Sequence, residues 1–297
     1  MRKMTLLGFS ALFIACKPPP EAPADLENLS EFLFSHMDDE DPAELLAGLT
    51  NLDTWLNTKT GNPDDPEETN LDLTIAGYQI NNLNDESVAD LDDKERTIEE
   101  SLIGAAVGWS YDHTIEEMAQ TMFVDDWSKV TDGTYLCYER VFDDGQDPSC
   151  IKSGSCEWSS YQTVSVSSWA GLVTVVSENS GEIRRLDTEY GPAIIQRTWL
   201  NQPAETTGTL GDLVNVYSQY YVNVIAPTAN GSLLRTTAIW FDGEYGVPDE
   251  DFAKNQVISQ MQGQHEIITE WITGSQDNES SCLCADWDYE EKECTVE

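Results

Sequence analysis

Three arginines stand where strand periodicity places apolar side chains. Arg140 shares its alternation with Leu136, Tyr138 and Phe142, Arg197 with Ile195 and Trp199, and Arg235 with Leu233, Ile239 and Phe241. A guanidinium on such a face can offer forked donors to a carboxylate or phosphate while the surrounding hydrocarbon holds that ligand's tail. Arg140, Arg197, Trp199 and Arg235 are therefore the candidate ligand contacts, expected to line one cavity that takes a small amphipathic or lipid-like molecule. The competing use of the same arginines is ion pairing with the chain's many acids or exposure on a solvated face, since a one-residue slip in register exchanges the two faces of a strand.

Cysteine supplies the second chemistry. Of 7 Cys, Cys16 ends the N-terminal apolar run, and the other six fall into two clusters of three, Cys137, Cys150, Cys156 and Cys282, Cys284, Cys294. An even number in an oxidising compartment reads as a disulfide set, and full pairing of two clusters of three requires at least one bridge between them. Zinc at Cys282-x-Cys284 is the rival, but the spacing lacks the usual CxxC pair and no histidine is near.

Other catalytic patterns are missing from the sequence. The three histidines are His36, His113 and His265, and the residue four after His265 is Thr269, so no metalloprotease pair forms. His265 sits near an apolar helix face, where a hydrogen-bonded core imidazole is the default reading. There is no G-x-S-x-G elbow, P-loop or G-x-G-x-x-G. Asp286-x-Asp288-x-Glu290 opens like a calcium loop, but Glu291 stands where that loop needs Gly. The sequence thus calls for no cofactor, no resident metal and no enzymatic activity.

Lys+Arg number 15 against 55 Asp+Glu in 297 residues, a formal net charge of −40, which excludes nucleic-acid binding through a basic face. The acid is uneven: residues 17–130 carry 28 acids and 5 bases, residues 151–245 only 9 and 5. With 40% hydrophobic residues and 9 Trp, the chain has material for a substantial core and is not a disordered acidic chain.

The elements that must position these residues begin after a targeting segment. Arg2 and Lys3 precede an apolar run from Met4 to Ala15, too short to span a bilayer, and Lys17-Pro18-Pro19-Pro20 follows Cys16. Phe13-Ile14-Ala15-Cys16 resembles a bacterial lipobox. That resemblance implies a signal peptide over 1–15, diacylation of Cys16 as the new N-terminus, and anchoring by acyl chains in the cell envelope; Lys17 in place of Asp favours the outer membrane. Residues 16–24 then form the lipidated cysteine and a stiff proline-rich spacer.

A helical hairpin is expected over 25–57, from Leu26, Leu29, Leu33, Met37 and from Leu45, Leu49, Leu52, Leu56, with Asp41-Pro42 as the start of its second helix. Residues 58–102 read as an acidic connection with one alternating piece, Leu71-Asp72-Leu73-Thr74-Ile75, as a candidate strand. From 103 to 274 the pattern is a strand at 105–111, a capping box at Thr114-Ile115-Glu116-Glu117, strands at 134–142, 156–167, 171–178, 182–189, 193–201, 212–226 and 231–242, and a long helix over 249–273. Asn179-Ser180-Gly181 and Ala229-Asn230-Gly231 are read as hairpin turns. An acidic cysteine-containing tail occupies 275–297.

This order resembles the START-like, or helix-grip, superfamily. The resemblance implies an α+β fold in which a curved antiparallel sheet of about seven strands packs on a long C-terminal helix, with an apolar cavity between them for hydrophobic molecules. It transfers no functional residue. The expectation is a membrane-anchored exported lipoprotein that binds a small amphipathic ligand. The alternative is a non-catalytic envelope protein with a packed core that contacts other envelope proteins through its acidic surface and N-terminal hairpin.

Overall fold

The computed structural model describes residues 21–59, 77–89, 91, 103–131, 134–143, 149–169, 172–209, 211–244, 250–274, 284, 287–288 and 293–294. The lipobox, Cys16, the expected strand at 71–75 and Cys282 lie outside them. Among the described residues no helix is long and apolar enough to cross a membrane.

The first described elements form the expected helical hairpin, α1 (Leu26–Ser35) and α2 (Ala43–Lys59). Asp25 caps α1 by accepting from the Asn28 amide, and Asp41 accepts from the Ala43 amide ahead of α2. A short edge strand β1 (Gly77–Gln79) and a single turn α3 (Asp85–Val88) interrupt the stretch read as a plain connection. Then come β2 (Ile103–Tyr111), α4 (Ile115–Phe123), β3 (Tyr135–Phe142), the short α5 (Ser149–Ser153), β4 (Trp158–Trp169), β5 (Val173–Thr188), β6 (Gly191–Leu200), a small β7 (Glu205–Thr207), β8 (Asn215–Pro227), β9 (Leu233–Glu244) and α6 (Glu250–Ile272). Two tail segments, β10 (Trp287–Asp288) and β11 (Glu293–Cys294), pair with each other.

The fold is α+β, as expected: an antiparallel sheet in the order β1-β2-β9-β8-β6-β5-β4-β3, with β7 added beside β5. It has nine strands among the described residues rather than about seven, because the short β1 and β7 carry too few residues to register as alternation. The capping box of α4 forms in full, with the Glu117 amide donating to Thr114 and the Thr114 amide to Glu117. Ala229-Asn230-Gly231 makes the β8–β9 turn, where Gly231 adopts φ +86°.

The turn expected at Asn179-Ser180-Gly181 does not exist. β5 runs through it without a break, and the hairpin turn follows Thr188, where Glu189-Tyr190 link it to Gly191. Gly181 is glycine for a different reason: it pairs with Tyr161 across the sheet, and a Cβ there would lie 2.2 Å from the tyrosine ring.

Both faces of the sheet are covered. Helices α4 and α6 pack on one face over Val107, Trp109, Ile183, Ile194, Ile225 and Phe241. The N-terminal hairpin closes the other, where Leu29, Leu33, Phe34, Leu45 and Leu52 meet Ile195, Tyr220, Val222 and Trp240. The apolar stripe of the hairpin, from Leu26 at 1% exposure to Trp55 at 5%, is therefore spent inside the molecule over its described side chains. Burial on both faces also explains why β9 is buried over its first ten residues rather than alternating.

Among the described residues two disulfides are formed. Cys150–Cys156 closes a small loop around α5, and Cys137–Cys284 bridges the two cysteine clusters, tying the tail to β3.

Candidate functional site

Cross-strand partners share a face of a sheet, so the ladder assigns each arginine. Arg235 pairs with Ile225, which pairs with Ile194, all facing α4 and α6. Arg140 faces the same way, with its guanidinium over the Tyr161 ring at 4.7 Å. Arg197 pairs with Val222, which pairs with Ala238, and that is the face under the hairpin. The expectation that all three arginines line one cavity is thus corrected: Arg140 and Arg235 share a face, whereas Arg197 and Trp199 lie on the opposite one. The assignment along each strand is the one read from the sequence. The mismatch arises between strands.

Arg197 has its charge answered. It is 2% exposed, donates through Nη2 to Asp38 and to Glu182 at 2.6 Å, and rests on the rings of Phe34 and Trp199. Its Nη1 reaches the Phe34 carbonyl at 3.3 Å, and Arg184 donates to the Met37 and Asp39 carbonyls at 2.8 Å each. Two sheet arginines thus hold the carbonyl end of α1, where the helix dipole favours cations. This is a clamp for the hairpin.

On the helix-facing side a polar track crosses the middle of the sheet. Thr237 donates to Asn223 at 2.6 Å, the Asn223 amide reaches Gln196 at 3.4 Å, Gln196 donates to the Tyr161 hydroxyl at 2.6 Å, and that hydroxyl meets Thr198 at 2.6 Å. Arg140 flanks one end, bonded to the Tyr138 hydroxyl at 2.8 Å and to the Met122 carbonyl. Arg235 flanks the other, one alternation from Thr237. Its guanidinium lies 5.4 Å from the Trp109 ring centre and against the Tyr111 hydroxyl. That hydroxyl is 2.8 Å from His265 Nδ1 on α6, and the His265 ring stacks on Trp109, centres 5.7 Å apart.

Arg140 leaves its Nε open and has no carboxylate partner among the described residues, and Arg235, the more deeply buried of the two, is in the same position. Arg235 is 5% exposed and Trp109 fully buried, yet Arg235 Nη1 and Trp109 Nε1 find no hydrogen-bond partner among the described residues. No carboxylate among those residues pairs with Arg235 either. Burial pushes the Tyr111 phenol up from its ordinary value, and the adjacent guanidinium takes back only part of that rise, so Tyr111 stays neutral and supplies no counter-charge. A buried cation flanked by an open indole N–H is a ready seat for an oxyanion.

Strand parity in the sequence singled out Arg235 and Arg140 but not Trp109, Tyr111, Tyr161, Gln196, Asn223 or Thr237. The available signal was Gln219, Tyr221 and Asn223 alternating with the apolar positions of β8, a polar row pointing at a covered face. His265 behaves as the hydrogen-bonded core imidazole expected of it. Of the disulfide candidates, Cys137, Cys284, Cys150 and Cys156 are paired. Cys282 lies outside the described residues, and Cys294 is placed by its backbone in β11.

No family model matches the sequence, and no curated protein matches it. Solved structures with a similar course of chain include human STARD10, at 10% identity with 62% of this chain and 75% of that one covered and a TM-score of 0.36. The human StarD13 (DLC2) lipid transfer and protein localization domain is similar at 12% identity, with 58% and 76% covered and a TM-score of 0.34. Norcoclaurine synthase from Thalictrum flavum, in complex with dopamine and hydroxybenzaldehyde, is similar at 11% identity, with 63% and 95% covered and a TM-score of 0.32. Likeness at these scores carries no inference about ligand or reaction.

Proposed function

We propose that this protein binds a small amphipathic molecule with an anionic head group on the helix-facing side of its sheet, and that it does so as a binding protein rather than an enzyme. The observation that carries the reading is the buried Arg235 guanidinium, with an open Nη1, beside the open Nε1 of Trp109 and without a carboxylate partner among the described residues. An uncompensated buried cation is costly, and an incoming carboxylate or phosphate removes that cost. The track from Thr237 to Tyr161 supplies the uncharged donors and acceptors that orient a polar head.

The test compares two probes of equal chain length, a fluorescent fatty acid and the corresponding fatty alcohol, on delipidated protein. The wild type is expected to prefer the acid. Arg235→Met removes the charge while keeping the apolar stem, so acid affinity should fall about 10- to 100-fold, the worth of one hydrogen bond to a charged group, with alcohol affinity unchanged. Equal affinity for both probes in the wild type, or unchanged acid binding in a folded Arg235→Met, overturns the reading.

We further propose that the chain is exported and held at the bacterial outer membrane by acyl chains on Cys16. The two disulfides support an oxidising compartment. Cys16→Ser should abolish lipid labelling and normal processing in cells. A lipid-labelled mature species from that variant would rule the anchor out.

A further inference from the structure

We infer that the turn between α1 and α2 is a binding site for one first-row divalent cation of the zinc type, held by His36, Asp39 and Glu44. His36 closes α1, with its amide bonded to the Phe32 carbonyl at 3.1 Å and its ring against that of Phe32, centres 4.2 Å apart. This turns Nδ1 toward the two carboxylates. Asp39 Oδ2 and Glu44 Oε2 each stand 2.7 Å from that single nitrogen, and the donor atoms of all three residues lie within 4.8 Å of one another.

One Nδ1 carries one proton at most and can aim it along one line, so two oxygens at the same short distance share what a single hydrogen bond supplies. The same three atoms suit a shared metal. Ligands bonded at about 2.0–2.1 Å in the tetrahedral geometry zinc prefers stand about 3.3 Å apart, about 0.6 Å beyond the two nitrogen–oxygen spacings and inside the 4.8 Å that spans all three donor atoms, so a small opening of the cluster admits the ion. Two carboxylates and a neutral imidazole carry a charge of about −2, which a divalent cation balances, and the imidazole favours zinc-type metals over calcium or magnesium. The side chains are about one-third exposed, leaving the remaining coordination positions to water.

The backbone that presents the ligands is fixed from outside the cluster. Arg184 holds the carbonyls of Met37 and Asp39, Arg197 holds Asp38, and Asp41 caps the turn that opens α2 just before Glu44. A cation here would join the end of α1 to the start of α2. His36-x-x-Asp39 with Glu44 fits neither CxxC nor HExxH spacing, because the three residues stand at the C-cap of α1, in the following turn and in the first turn of α2.

The test uses the oxidised chain with residual thiols alkylated, so that cysteine cannot draw the metal, and millimolar magnesium to occupy the acidic surface. Titration with zinc should show one site per chain and a raised melting temperature. His36→Gln and Glu44→Gln should each weaken binding by more than about tenfold and remove the thermal shift, with unchanged circular dichroism. In the wild type, cobalt should perturb the imidazole resonance of His36 among the chain's three histidines and leave His113 and His265 unmoved. Equal zinc binding in folded His36→Gln, or the same affinity for magnesium as for zinc, overturns the site.

Discussion

Replacing Arg197 with Met should destabilise the protein by about 3 kcal/mol, because the substitution strands two carboxylates that the guanidinium now joins. Glu182 is 20% exposed and Asp38 half exposed at their side chains, and both lean on one arginine that is 2% exposed. The half-exposed Asp38 is screened by water, which places the loss at the low end of the range for a broken buried pair. Denaturant midpoints measure it. The Arg197→Met, Glu182→Gln double variant should recover part of the loss, and a midpoint unchanged by Arg197→Met alone would sink the clamp.

Glu182 sharpens the expectation. Burial raises its carboxyl above the ordinary value of 4.5, and Arg197 offsets only part of that rise. A carboxyl with a raised folded-state pKa contributes stability that is fully present below its unfolded value and is lost as pH climbs through the folded one. Glu182→Gln in the wild-type background should therefore leave stability at neutral pH unchanged or slightly higher, and flatten its dependence on pH just above the ordinary glutamate range.

The second large effect is covalent. Removing Cys137–Cys284 as a double alanine variant should cost about 5 kcal/mol in the chain-entropy account, whereas removing Cys150–Cys156 should cost about 2 kcal/mol. The contrast follows from loop size, since the first bond spans 147 positions and the second 6. Cys137 is fully buried and Cys284 6% exposed, beside Val166 and Val164, so the long bridge also fixes the tail on an apolar patch of β3 and β4. Chemical denaturation of both variants checks the ranking. Equal losses, or none for the long bridge, would show that the unfolded state is not governed by that constraint.

Local signals in the sequence were sufficient where the chain closes a structure on itself. Thr114 and Glu117 cap a helix within four residues, and Ala229-Asn230-Gly231 turns within three. Asn179-Ser180-Gly181 has the same turn composition, yet the opposing Tyr161 ring, twenty residues earlier in the chain, uses the glycine as space inside a strand. The arginines fail for a similar non-local reason. Parity fixes which side chains of β6 travel with Arg197, but the pairing of Arg197 with Val222 and of Arg235 with Ile225 decides which face of the sheet that is. Ordinarily the solvated face would show itself by polarity. Here the hairpin covers it, so both faces read as interior.

The same hairpin sets an order of events in folding. Its contacts reach residues far along the chain: Arg184 reaches Met37 across 147 positions, Arg197 reaches Phe34 across 163, and the Phe34 ring meets that of Trp240 in β9. Strands β3 to β9 are largely joined through neighbours in sequence and can form early, whereas β2 must wait for β9. Leu26 to Trp55 precede these strands in the chain, and their stripe stays wet until the strands that cover it have been made. A chain interrupted anywhere before β9 leaves that stripe without part of its cover, so a segment made ahead of the sheet is among the last to be sheltered.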